Sequence, residues 1–181
     1  MTRKLNVNGF EISDDSDCFV IAEIGNNHQG DLQKAKEMFK TAKECGVDAV
    51  KLQKRDNKSL LTRAAYNKPY DNENSFGATY GEHREALEFG REEYIELKKY
   101  AQELGMTMFA TAFDIKSADF LAELDMPLYK IASGDLKNIP QLKLNRLHTA
   151  AGNGSWPPST RSMAVLLPIN WLPRMSVAKT Q

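Results

Sequence analysis

An apolar run, Cys18 to Ile24, leads into the glycine-bounded cluster NNHQGD and then into LQKAKEMFKTAKECG, where apolar and small residues fall three and four positions apart. The same order of events, a strand-like run followed by a helical stripe that stops at Gly or Asp, recurs four times as far as Leu142. Strands buried on both faces read as continuous apolar runs because helices cover a parallel sheet from either side. Four such repeats restrict the chain to an α/β fold with a parallel sheet.

The first helix is expected to start at Asp31 as N-cap. Its stripe is Leu32, Ala35, Met38, Phe39, Ala42 and Cys45, and Gly46 takes the position after its end. In the second strand, Asp48 to Lys54, Val50 and Leu52 alternate with Lys51 and Gln53, so the two polar residues face one side. A long polar connection, Arg55 to Gly90, exceeds ordinary βα loops and predicts a functional or mobile segment. A helix from Arg91 to Gly105 follows, then a strand at Met106 to Phe113 and a short helix, KSADFLAELD. The strand Pro127 to Asp135 precedes another helix start at Asn138.

Parallel sheets gather ligands at the carboxyl ends of their strands. Glu23, Lys51, Gln53, Thr111, Lys130 and Ser133 all fall on or near the later half of their own strands, so they converge on one rim. Two ammonium groups and two hydroxyls, from Lys51, Lys130, Thr111 and Ser133, suit a phosphate or carboxylate. Glu23 has two open readings: an ion pair with Lys51, or an acid/base and hydroxyl-binding group of a sugar site. His28 has no second histidine at ligand spacing, and Asp31 reads as a cap.

Charge is uneven. The first 135 residues hold all 24 acidic and 18 of the 24 basic residues, whereas Leu136 to Gln181 holds six basic residues and no acidic one. Overall charge is zero, which offers nucleic acid no electrostatic attraction. Cys18 and Cys45 lack CxxC spacing and are expected to be buried thiols. No stretch reaches the ~18 apolar residues of a membrane helix and the N-terminus has no secretory apolar core, so the expected location is the cytoplasm, away from membranes. From about Leu144 the periodicity stops, five of the seven prolines and both tryptophans lie beyond Leu136, and a structureless tail is expected over 144–181.

The motifs IAEIGNNHQGD, VKLQK, TYGEH, FATAFD and YKIASGDLKNIPQL, in that order between Cys18 and Leu142, resemble the N-terminal half of the sialic acid synthase family. The resemblance implies the first four units of a (β/α)8 TIM barrel over residues 1–143. It implies condensation of phosphoenolpyruvate with N-acetylmannosamine or its 6-phosphate, with release of phosphate. By motif, Lys51, Thr111, Lys130 and Ser133 match the phosphoenolpyruvate-binding positions. Glu23, Gln53 and, through the long loop, Asn74 match positions around the acceptor sugar and metal centre, with Glu23 as the catalytic candidate.

The family also implies a divalent metal, Mn or Mg, held by two histidines of later strands, and a homodimer formed through a C-terminal domain. His148 is the one histidine beyond position 83 here, past the last of these motifs, in a stretch expected to lie outside the family pattern. The abrupt change near Leu144 resembles a shifted reading frame. Three other readings stand beside the synthase: a non-catalytic fragment acting as an interaction or regulatory partner, a Schiff-base aldolase using Lys130, and a synthase of another 3-deoxy sugar acid.

Overall fold

The computed structural model describes residues 4–150 and 162–164. A hairpin comes first, β1 (Lys4–Val7) and β2 (Phe10–Ser13), paired antiparallel. Its turn is Asn8-Gly9, both with positive φ (50° and 91°), the backbone that two-residue hairpins require. Asn-Gly between alternating apolar residues is the sequence signal of this hairpin.

A five-stranded parallel sheet follows in the order β3 (Ile21–Gly25), β4 (Ala49–Lys54), β5 (Thr107–Ala112), β6 (Leu128–Ile131) and β7 (Ser162–Ala164). Helix α1 (Leu32–Glu44) joins β3 to β4, and α5 (Arg91–Glu103) enters β5. Helix α6 (Ile115–Glu123) connects β5 to β6, and α7 (Ile139–Ala150) follows β6 after a 3₁₀ turn, Ser133–Asp135. The α/β expectation with parallel βα units therefore holds. Asp31 caps α1 by accepting from the N–H groups of Gln33 and Lys34, at 2.8 and 3.0 Å, and Gly46 leaves the helix with φ +80°.

The long connection is not a plain loop. It holds three short helices, α2 (Asn57–Leu60), α3 (Arg63–Tyr66) and α4 (Tyr80–Ala86), capped by Asp56, Thr62 and Thr79. Helices of one or two turns carry too little periodicity to register as a stripe.

The two faces of the sheet are unlike. Val50, Leu52, Met108, Ala110, Ala112 and Tyr129 pack against Phe39, Tyr94, Leu97 and Leu121 of the helices. On the opposite face Ala49, Phe109 and Leu128 meet Val7, with Ile12, Phe19 and Ile21 beside them, so the hairpin covers the amino-terminal end of that face. Its carboxyl-terminal end is left to Lys51, Gln53, Thr111 and Lys130, which share the alternation of Ala49 and Phe109.

One expectation is corrected. Both cysteines are exposed: β3 begins at Ile21, three residues after Cys18, and Cys45 is the C-cap beyond the last turn of α1. The expected tail falls mostly on residues outside the described ones, but α7 runs past Leu144 to Ala150, and Ser162–Ala164 pair with β6. Leu144 packs against the main core, and the buried Gln141 donates to the Ala112 carbonyl at 2.9 Å, which ties this helix to the end of β5.

Candidate functional site

The site is built on strand register. Glu23 lies opposite Lys51, and Gln53, Thr111 and Lys130 lie opposite one another on three successive strands. Lys51 is 3% exposed, is ion-paired with Glu23, and donates to Thr111 Oγ1 at 3.3 Å. Burial lowers the pKa of Lys51. The hydrogen bond and charge of Glu23 oppose that shift, whereas the positive charges of Lys130 and Arg55 add to it. Of the two readings of Glu23, the ion pair is what the structure contains; its side chain is half exposed and remains open to a substrate.

Gly25 sits between the side chains of Glu23 and Gln53. It has φ +58° and follows a register shift between Glu23 and Gly25. A side chain there would stand 3.4 Å from Glu23 Oε1 and 3.5 Å from Gln53 Nε2. Such an irregularity at a strand end re-aims the neighbouring side chain. The Gln53 end of the strand is fixed from behind, because Tyr94 of α5 donates its hydroxyl to the Gln53 carbonyl at 3.1 Å.

Of the residues named from sequence, Glu23, Lys51, Gln53, Thr111 and Lys130 come together on one face. Ser133 starts the 3₁₀ turn three residues past Lys130 and is exposed at the same end of the sheet. Asn74 is exposed on the excursion before α4, where its N–H donates to Asn72 Oδ1 at 2.9 Å; no described hydrogen bond links it to the other five.

Arg55 was missed. It continues the 51, 53 alternation, lies over the Phe113 ring at 3.7 Å, and has no ion pair among the described residues. Alternation carried one step past the strand end would have found it. Beside it, Glu88 accepts from the Arg55 N–H at 3.1 Å and from Lys54 at 3.4 Å, and burial raises the pKa of its carboxyl.

The described residues do not fit a divalent metal. No group of three His, Cys, Asp or Glu side chains among them stands close enough to hold one. His28 is 1% exposed, stacks on Phe89 at 4.0 Å and accepts from the Gly30 N–H. His83 accepts from the Phe76 N–H, and His148 meets Asp119 at 2.9 Å. No helix among the described residues is long and apolar enough to cross a membrane.

A parallel sheet of successive βα units, with two lysines, a threonine and a carboxylate at the carboxyl ends of adjacent strands, is part of a TIM-barrel architecture. The chain belongs to the NeuB family, whose model matches residues 38–150. It is 48% identical over 126 residues to N-acetylneuraminate-9-phosphate synthase of Mus musculus, covering 70% of this chain and 35% of that protein. It is 41% identical over 127 residues to N,N'-diacetyllegionaminic acid synthase of Legionella pneumophila, covering 70% and 36%. The chain thus spans about a third of the length of these curated relatives.

Among solved structures it is similar to the N-acetylneuraminic acid synthetase of Leptospira borgpetersenii, with TM-score 0.67 and 28% identity over 82% of this chain and 48% of that one. The Bacillus subtilis spore coat polysaccharide protein spsE matches with TM-score 0.60 and 28% identity, over 79% and 37%.

Proposed function

We propose that the rim of Lys51, Thr111, Lys130 and Ser133 binds phosphoenolpyruvate, and that Glu23, Gln53 and Asn74 face an amino-sugar acceptor, N-acetylmannosamine or its 6-phosphate. The activity is the phosphoenolpyruvate-dependent condensation that makes a sialic acid. Residues 1–143 supply the first four barrel units of that active site. The observation that carries this reading is the meeting of Lys51, Thr111 and Lys130 on one face at neighbouring strand ends.

The ammonium groups act as point charges for the phosphate and carboxylate, and the hydroxyls donate to the same oxygens. Carbon 3 of phosphoenolpyruvate bonds to the sugar aldehyde carbon, water adds at carbon 2, and the bond from carbon 2 to the phosphate oxygen breaks, leaving a ketone. Glu23, half exposed beside Lys51, accepts the proton from that water. The divalent ion expected of the family, Mn or Mg, supplies Lewis-acid activation of the aldehyde when bound; the described residues form no site for it, and no step here is assigned to it.

Calorimetric titration with phosphoenolpyruvate tests the reading. Binding by the wild-type chain and its loss in Lys51→Ala support it; equal binding by both refutes it. Phosphate release that depends on both Mn and N-acetylmannosamine reports the complete reaction.

A further inference from the structure

Between Lys68 and Tyr80 the chain leaves α3 and returns to α4 as a closed excursion. Tyr70 N–H donates to the Ala78 carbonyl at 3.0 Å, Tyr80 N–H donates to the Lys68 carbonyl at 2.8 Å, and Pro69 bridges Thr79. The tip holds itself through Asn72, which accepts the N–H of Asn74 on its side chain and the N–H of Ser75 on its carbonyl. One side chain outside the excursion reaches that tip among the described hydrogen bonds: His83 Nδ1 accepts from the Phe76 N–H at 3.2 Å.

His83 is built in for this contact. It is 8% exposed, with Tyr70 at 4.5 Å, Phe76 at 5.7 Å and Tyr80 at 6.4 Å around its ring. The return segment lies directly on α4, since a side chain at Gly77 would stand 2.5 Å from Glu82 Cβ and 2.8 Å from the His83 backbone nitrogen. Acceptance at Nδ1 requires that the ring be neutral with its proton on Nε2. A second proton would set two donors against each other.

The groups facing the ring do not favour that proton. Arg84 is a like charge beside it, and Tyr70 and Tyr80 are phenols. Glu82 is turned to the Thr79 N–H, and Asp71 and Glu73 are exposed at the tip. Burial lowers the pKa of the imidazole.

We propose that His83 is the positioning residue of the acceptor loop: neutral, it holds Phe76, and through Phe76 the neighbouring Asn74, in place to meet the sugar. This rests on the reading of Asn74 as a sugar-facing residue.

The test is amide exchange of residues 74–77 in the whole chain between pH 8 and pH 5, expressed as protection factors, with β4 as internal reference. Wild-type protection should fall roughly fivefold to tenfold on acidification, the loss of one hydrogen bond. His83→Phe keeps a ring without the acceptor and should be unprotected throughout. His83→Asn returns an acceptor oxygen and should be protected at every pH. A His83→Phe chain with wild-type protection and wild-type pH dependence overturns the proposal.

N-acetylmannosamine should raise tip protection in the wild type and in His83→Asn but not in His83→Phe; no response in any of them breaks the link to the acceptor. Phosphoenolpyruvate affinity, measured in parallel, should be unchanged in His83→Phe. Absence of that affinity in the wild type strikes the reading of the rim instead.

Discussion

Lys51 and Glu23 form an ion pair in which one partner is almost wholly buried and the other keeps half its side chain in water. The two ends of the pair are therefore not equivalent. Glu23→Gln leaves a buried ammonium with Thr111 as its neutral partner and should cost roughly 1–3 kcal/mol in urea unfolding. Lys51→Met leaves a carboxylate that water can reach, fills the same space, and should change stability by under ~1.5 kcal/mol. Equal losses in the two variants would show that the pair is as buried on one side as on the other.

Gly25 and Gly30 both have positive φ but differ in space. Gly25→Ala meets only ordinary contacts and should cost roughly 1–2 kcal/mol from backbone strain. Gly30→Ala would put a methyl group 2.2 Å from the Ala86 carbonyl oxygen and should cost distinctly more. Thermal unfolding of the two variants side by side checks the order.

His28 is held to a pKa of about 4 by burial, against a hydrogen bond to the Gly25 backbone that acts the other way. In the unfolded chain it titrates near the ordinary histidine value of 6.5. Between those values the unfolded state takes up a proton that the folded state refuses. Stability is thus fully present above pH 6.5 and is lost as pH falls toward 4, with a slope approaching ~1.4 kcal/mol per pH unit. Burial of Glu88 raises its pKa and offsets part of this. The difference between wild type and His28→Gln isolates the effect: urea midpoints at pH 7, 6 and 5 should converge as the pH drops.

Thr111 contributes one hydroxyl to the proposed anion site. Thr111→Val should weaken phosphoenolpyruvate binding roughly tenfold or more, since a hydrogen bond to a charged group contributes about 1.5–3 kcal/mol, and it also removes the hydroxyl that accepts from Lys51. Titration calorimetry reads both the affinity and the remaining binding.

The aldolase alternative makes the opposite demand on lysine chemistry. Burial disfavours the charged form of Lys51, but that group is already paired with Glu23 and Thr111. With Lys130 serving as a charged anchor for the anion, as proposed, treatment with pyruvate and borohydride should leave it unmodified in a peptide mass map. An adduct at Lys130 would establish the Schiff-base reading.

Period and punctuation lie within a few residues, so the sequence alone determined the βα repeat, the Asp31 cap, the Gly46 exit, and the shared face of Lys51 and Gln53. It also carried signals left unread: Asn8-Gly9 for the hairpin and the alternation that reaches Arg55. Only the tertiary structure decided that Glu23 pairs with Lys51, that Lys51 reaches Thr111 sixty positions away, that the hairpin covers the lower half of that face, and that both cysteines meet solvent. Those outcomes depend on register between strands and on where each strand begins, which are set by packing over long separations and leave no local period in the chain.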